Sequence, residues 1–354
     1  MKILHIELGR KLFGGARQVL HLVDGLQLHG VQSILVSPRG SAIASAAPQG
    51  VVVEEIAASG DLDLRVIGDI RRAIDRYKPD LVHIHSRGAA EIFGVFAARS
   101  RGIPVVTSRR VDSSPHPLVA NFIDRNNARV IAISQAIAEV LMGKGIAATK
   151  LRVVRSAVDF TDWRAPAGRQ RFLPEFGLSD DAITIGIVAQ LIRRKGHHVL
   201  FEALHRANLP ANVRVIVFGR GKLEDRLRRE APSSVIFAGF RSDLPLWLGN
   251  LDLVVHPALA EGLGISLMQA SAAGVPIVAS AVGGIPEVVR PDINGVLVSP
   301  SDAQELADVL TSLVSDPARR HALGAGGRTL MEQADFSVAQ MVVGNLAVYR
   351  EVLR

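Results

Sequence analysis

Glu261 is followed by Gly262 and Gly264, and an apolar helix is predicted to begin at about Ile265. A short strand expected over Leu253–His256 stops just ahead of them, at Pro257. Amides at a glycine-eased helix start lack intrahelical acceptors, and the helix dipole favours an anion beside them. A carboxylate placed before those amides cannot itself be that anion. It is better suited to accept hydrogen bonds from hydroxyl groups, as on a sugar. A phosphate site beside a sugar site points to a sugar nucleotide.

Other residues fit the same chemistry. Arg193, Arg194 and Lys195 form a basic loop between a strand expected over Thr184–Val188 and a helix near His198–Ala207. Two cations within a few ångströms can neutralise a diphosphate leaving group, and Arg and Lys are the usual donors. Gly219 and Gly221 follow the strand Arg214–Phe218; such a G-x-G is a weak signal by itself. Gly14–Gly15 precede a helix starting at Ala16, with Arg17 on its first turn, where backbone amides could approach an anion. Arg109 and Arg110 follow the strand Pro104–Thr107 and suit a phosphate or carboxylate; His116 lies further along, in a proline-bounded loop. His83 and His85 share one face of a strand, with His85 at its end. The pair hints at a metal, but no third ligand is evident in the sequence. Ser134 is expected to cap a helix, as are Asp243 and Leu244.

The stretch from Val255 to Arg290 resembles the donor-binding signature of the large retaining glycosyltransferase family four, whose fold is GT-B. Pro257, Glu261, Gly262, Gly264, Ala270, Gly274, Pro276, Val278, Ala279, Ser280, Gly283, Gly284 and Glu287 fall in register with it, without a gap. The resemblance extends to IGIVAQLIRRKG, which places Lys195 and Gly196 on the family's lysine and glycine, and to the glycine pair Gly14–Gly15. Three departures stand out: Gln269 replaces a second glutamate that holds the ribose, Gln190 replaces an arginine, and Arg109 replaces a histidine that contacts the donor sugar. VTSRRVD and AISQAI are similar to members that build lipopolysaccharide cores.

The resemblance implies two Rossmann-like, doubly wound parallel-sheet α/β domains facing a cleft, and transfer from a nucleoside diphosphate sugar with retention. It implies catalytic roles for Glu261, Lys195, Arg193 and Arg109. Donor contacts would come from Gly14, Gly15, Arg194, Gly219, Gly239, Phe240, Arg241, Gly262, Leu263, Gly264, Ile265 and Gln269. Acceptor contacts would come from Arg17, His85, Arg110 and His116. UDP is the favoured nucleotide, and neither metal nor other cofactor is expected. The implied setting is the inner face of the cytoplasmic membrane, in lipopolysaccharide or other cell-envelope glycan synthesis.

These residues need a scaffold, and the hydrophobic pattern supplies one. Short apolar runs alternate with helical stretches: Lys2–Leu8, Gln32–Ser37, Val51–Ile56, Leu81–His85, Arg129–Ile133 and Leu151–Arg155 read as strands in the first half. Val235–Phe237, Pro276–Ala279 and Gly295–Val298 continue the series in the second. Strands spaced by helices of this size make βαβ units and a parallel sheet. Residues 161–180 are polar, lack periodicity and read as a linker between an acceptor domain over 1–160 and a donor domain over 181–337. The final helix, 338–354, is expected to pack back on the first domain.

Composition narrows the classes. The chain has 354 residues, enough for two cores, and 48% hydrophobic content. No apolar run reaches a membrane span, the start does not read as a signal peptide, and with no cysteines there is no thiolate chemistry. A cytoplasmic protein fits best. Residues 1–160 hold 21 Lys and Arg against 14 Asp and Glu, a net of +7, whereas the remainder holds 20 of each. A basic first half attracts an anionic glycan, glycolipid or membrane surface. Nucleic acid is disfavoured, because the basic residues are scattered and aromatics are only 5%. A sugar-nucleotide epimerase or hydrolase, or an inactive scaffold, are the competing readings; the first gives no reason for the basic half.

Overall fold

The computed structural model describes residues 1–58, 63–86, 88–110, 117–333 and 336–354. His116 lies outside them. The chain forms two compact units, one of Met1–Ala157 with Val338–Arg354, the other of Val158–Ser337. The first alternates β1 (Lys2–Ile6), α1 (Gly14–Gln27), β2 (Gln32–Pro38), α2 (Ala42–Ser45), β3 (Val52–Ile56), α3 (Arg65–Tyr77) and β4 (Leu81–Ile84). It continues through α4 (Ala89–Arg99), β5 (Val105–Arg109), α5 (Pro117–Asn126), β6 (Arg129–Ala132), α6 (Gln135–Met142) and β7 (Leu151–Val153). The second unit runs α7 (Arg169–Glu175), β8 (Ile183–Val188), α8 (His197–Arg206), β9 (Val213–Phe218), α9 (Glu224–Glu230), β10 (Val235–Gly239) and α10 (Leu244–Leu248). It closes with β11 (Leu253–His256), α11 (Ile265–Ala273), β12 (Ile277–Ser280), α12 (Ile285–Val288), β13 (Gly295–Val298), α13 (Ala303–Ser315) and α14 (Pro317–Gln333). Helix α15 (Val338–Val352) returns to the first unit.

Each unit is a doubly wound sheet. The strand orders are β3-β2-β1-β4-β5-β6-β7 and β10-β9-β8-β11-β12-β13, and the pairings are parallel. Helices cover both faces of such sheets, so the central strands are largely buried; β12, IVAS, is buried at every position. Strand order reverses between β1 and β4 and between β8 and β11. Chain leaves each sheet in opposite directions there, and loops at the carboxyl ends of those strands open a crevice for ligands.

The return of α15 has a clear physical cause. Met341, Val342, Leu346 and Tyr349 join Ile3, Leu22, Leu26 and Val154 in one buried cluster. A Cβ on Gly25 would lie 2.5 Å from Val342 Cγ2, so glycine lets α1 and α15 approach closely. Burial of each large aliphatic side chain contributes about 1.5–3 kcal/mol. Glu351 adds ion pairs to Arg129, at 2.8 Å, and to Arg152.

Two expectations change. Residues 161–180, read as a linker, fold with the second unit: Trp163 is 8% exposed and Phe172 of α7 is fully buried. Their apolar side chains are too widely spaced to register as a period, yet each finds a pocket. Helices α13 and α14 were not anticipated, although Asp302 caps α13 by accepting from Gln304 N at 3.0 Å and Glu305 N at 2.9 Å.

Candidate functional site

The loops after β8 and β11 bring Lys195 and Glu261 into direct contact across a separation of 66 residues. Glycine makes this possible. Gly196 has φ +70, and a Cβ there would sit 1.7 Å from Pro257 O, so the two loops lie backbone against backbone. Leu259 N donates to Arg194 O at 2.8 Å and Arg194 Nη1 to Ala260 O at 3.3 Å, which fastens the loops together. On the far side, Gly284 N donates to Glu261 O at 3.2 Å. Gly283, at φ +52, approaches the same carbonyl so closely that a Cβ would overlap it at 1.9 Å.

The Glu261 carboxylate is 11% exposed and has three donors. Lys195 Nζ and His256 Nε2 both reach Oε2, the latter at 3.0 Å, while Gly262 N lies 3.0 Å from Oε1. Burial pushes the Glu261 carboxyl up, but the His256 hydrogen bond and the Lys195 charge outweigh it and hold the group far below the usual range. Burial lowers His256, opposed by its bond to Glu261. His197 is brought down to about 4 by burial, then by His256 and Lys195. An ionised carboxylate, a lysine and the uncapped start of α11 thus converge at the carboxyl end of β11. Gly264 precedes α11 at φ +92, and the first turn carries no acidic side chain. The residues Gly262, Leu263 and Gly264 lead into α11, Ile265 opens it, and half-buried Gln269 follows one helical turn later.

The remaining expected donor residues divide. Arg193 is exposed, in the same 3-10 turn as Lys195. Gly219 N donates to Gly239 O at 2.8 Å, and a Cβ on Gly219 would meet Ala189 O at 1.9 Å, so its glycine is required by close packing of the loops after β8 and β9. Phe240 is 51% exposed. Arg241 is ion-paired and only partly exposed. It holds Asp243 at 2.7 Å and Glu175 at 2.6 Å and lies over Trp247. Asp243 therefore does not cap α10 through its side chain; it accepts from Arg241 and from Trp247 Nε1 at 2.8 Å.

In the first unit, Gly14 and Gly15 open α1, whose first turn carries no acidic residue and no side-chain cap. A Cβ on Gly15 would lie 3.6 Å from Arg110 Cδ, so half-buried Arg110 stands beside this helix start; Arg17 is exposed. Glu7, which the sequence did not single out, ties the ends of β1 and β4 by accepting from Gly9 N and Ser86 Oγ, each at 2.8 Å. Ser134 caps α6 as expected, accepting from Ile137 N at 3.1 Å.

Three expectations in this unit are corrected. Arg109 does not face an open surface: it is 5% exposed, with Nη2 2.9 Å from Glu91 Oε2. An internal carboxylate has taken the place foreseen for an external anion. His85 is 4% exposed rather than open, with Nδ1 3.3 Å from Arg110 Nη2 and Nε2 3.1 Å from His5 Nδ1. A third histidine does accompany the pair: His5, His83 and His85 place ring nitrogens within 4.8 Å of one another. His83 also contacts Tyr349 OH at 2.5 Å and Ser108 Oγ at 2.8 Å.

The donors and acceptors order this cluster. Arginine can only donate, so His85 Nδ1 accepts and its Nε2–H donates to His5 Nδ1. His5 then carries its proton on Nε2, which has no partner among the described residues. Burial lowers His5 to about 3 and holds His83 and His85 well below 6.5. Burial also lowers Arg110, to about 10, against the opposing charge of Glu7. A dication here would have to take lone pairs already bound to Arg110 and His85, beside the charge of the Arg110 guanidinium. The donor set suits a neutral hydrogen-bonded core better than a metal.

A doubly wound unit with a lysine–glutamate pair at an uncapped helix start matches the arrangement expected of the donor half of a GT-B glycosyltransferase. Comparison with known proteins agrees. Residues 169–330 match the family model described as glycosyl transferases group 1, and residues 14–162 match glycosyltransferase family 4. The chain is 30% identical over 345 residues to D-inositol 3-phosphate glycosyltransferase 1 of Catenulispora acidiphila, covering 86% of this chain and 82% of that one. It is 33% identical over 181 residues to a GDP-mannose-dependent monoacylated alpha-(1-6)-phosphatidylinositol monomannoside mannosyltransferase of Corynebacterium glutamicum, 47% of each chain. Its fold is similar to that of Anabaena HepE in complex with UDP-glucose, with a TM-score of 0.88, 22% identity, and 99% of this chain and 100% of that chain covered. The chain belongs to glycosyltransferase family four and is a glycosyltransferase.

Proposed function

We propose that the protein moves a sugar, with retention, from a nucleoside diphosphate sugar to a hydroxyl of an anionic, membrane-associated acceptor in cell-envelope glycan synthesis. The observation that carries this reading is the Lys195–Glu261 pair at the start of α11. Lys195, with Arg193 beside it, neutralises the diphosphate as it leaves, and Glu261 accepts from sugar hydroxyls. Amides from Leu263 to Ile265 meet the phosphate, the Gly262 amide being held by Glu261 Oε1, and Gln269 bonds the ribose. The acceptor hydroxyl attacks on the leaving-group face, and the departing phosphate takes its proton. No metal is needed, since two cationic side chains and a helix start supply the positive charge. UDP remains the favoured nucleotide.

In the first unit, Arg110, Arg17 and the amides of Gly14–Gly15 make a corner suited to an acceptor's phosphate or carboxylate. The inositol phosphate and phosphatidylinositol mannoside named for two relatives support an acceptor of that charge. No helix among the described residues is long and apolar enough to cross a membrane. Membrane contact in this reading is made through the basic first half, at the inner face of the cytoplasmic membrane. Lipopolysaccharide core synthesis is one such setting.

The test is a transfer assay with UDP-, GDP- and ADP-sugars against inositol phosphate, anionic glycolipid in vesicles, and their uncharged counterparts. Transfer confined to charged acceptors, with the anomeric configuration of the donor kept in the product, supports the proposal. Hydrolysis alone, or equal use of uncharged acceptors, overturns it.

A further inference from the structure

His256 holds Glu261 from a side that the reading above leaves unused. It is the last residue of β11 and only 1% exposed, and its Nε2 lies 3.0 Å from Glu261 Oε2. A carboxylate only accepts, so Nε2 carries the proton and, in the neutral ring, Nδ1 is a bare lone pair. Nδ1 is buried and has no partner among the described residues. A second proton there would have nothing to donate to, beside the charges of Lys195 and Arg194. Its neighbour His197 is also buried, with neither ring nitrogen bonded among the described residues, and offers no carboxylate to welcome that proton. His256 is thus fixed as a neutral donor aimed at one carboxylate oxygen.

The identity of that oxygen matters. Lys195 reaches the same Oε2, and Oε1 is left with the Gly262 amide. A donor's diphosphate competes with Glu261 for Lys195, because one ammonium cannot neutralise both fully. A carboxylate that loses its cation beside a newly arrived anion is repelled, and rotation about its terminal torsion costs little. A neutral N–H does not compete for the diphosphate and stays where it is. Its strand ends at Pro257, whose carbonyl is packed against Gly196, so the ring is mounted on a rigid element.

We propose that His256 is a positioning residue for the sugar-binding carboxylate: it keeps Glu261 Oε2 turned inward when the diphosphate draws Lys195 away, so that Oε1 is the oxygen offered to the sugar. This rests on the reading of Glu261 as the sugar acceptor and Lys195 as the diphosphate cation. The consequence is specific. His256 contributes to recognition of the sugar and not of the nucleotide.

The experiment compares binding of UDP, GDP, ADP and CDP with binding of their glucose or mannose conjugates to the full-length protein. His256→Leu should bind the preferred nucleoside diphosphate within about twofold of the original protein, which also reports that it is folded. Its preference for the sugar conjugate over the bare diphosphate should fall about tenfold, the scale of one hydrogen bond to a charged group. The acid limb of kcat/KM against pH should move upward, since Glu261 loses the bond that depresses it. His256→Gln, which keeps an N–H near Nε2, should restore most of both. Should His256→Leu not fold, His256→Asn, too short to reach, gives the same readout. Glu261→Gln separates the two layers. If it lowers the sugar preference while the His256 variants leave preference and pH limb unchanged, the role of His256 is overturned. If Glu261→Gln itself leaves the preference intact, the reading of Glu261 fails instead, and the role of His256 with it.

Discussion

Arg109 Nη2 lies 2.9 Å from Glu91 Oε2, with the two side chains 6% and 1% exposed. The pair ties the end of β5 to the first turn of α4, next to Arg110. Breaking a buried pair by removing one partner leaves the other charge buried without that counter-ion, at about 3–5 kcal/mol. Glu91→Ala and Arg109→Ala should each lower the unfolding free energy of the first unit by that much, read from the urea midpoint at constant m-value. Nucleotide binding measured below the transition should be unaffected. A loss under 1 kcal/mol, or a selective loss of activity in a fully stable Arg109 variant, would return Arg109 to the active site.

Tyr349 shows how the C-terminal helix is locked in register. Its hydroxyl lies 2.5 Å from His83 Nδ1 in a fully buried position. Tyr349→Phe keeps the ring and strands a buried imidazole nitrogen, which costs about 1–3 kcal/mol. Chemical denaturation followed by far-UV circular dichroism should show that loss with an unchanged m-value. A neutral or stabilising result would contradict the bond.

Acid should destabilise both units before the carboxylates titrate. Burial is the leading cause of depression at His5, His83, His85, His197 and His256, whose ordinary value is 6.5. A depressed folded value means that the unfolded chain binds the proton first. Stability is therefore full above pH 6.5 and falls as the pH drops toward the folded values, about 4 for His197 and about 3 for His5. Each histidine contributes a slope of about 1.4 kcal/mol per pH unit across its window. Glu261, also depressed, adds to the loss below its ordinary 4.5. Unfolding free energies at pH 7, 6, 5 and 4.5 check this; a flat profile would mean that these rings are hydrated and protonated in the folded protein.

Gly196→Ala tests whether loop approach builds the donor site. The residue has φ +70 and would put a Cβ 1.7 Å from Pro257 O, which backbone cannot relieve without moving the loop that carries Glu261. Left-handed backbone alone costs alanine about 1 kcal/mol, and the overlap adds more. Thermal melting should fall by several degrees, and nucleotide affinity should drop more than tenfold. Full affinity in this variant would show that the loops are not coupled as described.

What the sequence made legible is local. The run from Glu261 to Ile265 reads directly as a helix start with a carboxylate ahead of it, and IRRKG reads as a basic turn, because spacing along the chain is enough. The alternating apolar runs likewise reveal two parallel sheets. What stayed hidden depends on strand order. His5 pairs in register with His83 only because β1 and β4 are neighbours, so the third histidine could not be counted from spacing. Glu91 meets Arg109 from a helix that precedes its strand, and Glu175 reaches Arg241 across 66 residues. In both cases an arginine that looked available had a partner that no local pattern announces. His256 was read as the end of a strand, and its role becomes visible only with the carboxylate beside it.

Titration of the purified full-length protein with UDP, GDP, ADP and CDP in EDTA, beside its Lys195→Ala variant, is the most direct test of the donor site. Saturable heat with one nucleotide, lost by at least about a hundredfold in the variant, is the predicted result. Binding of none of the four, or equal binding by Lys195→Ala, would contradict the assignment of the Lys195–Glu261 pair to a nucleoside diphosphate sugar.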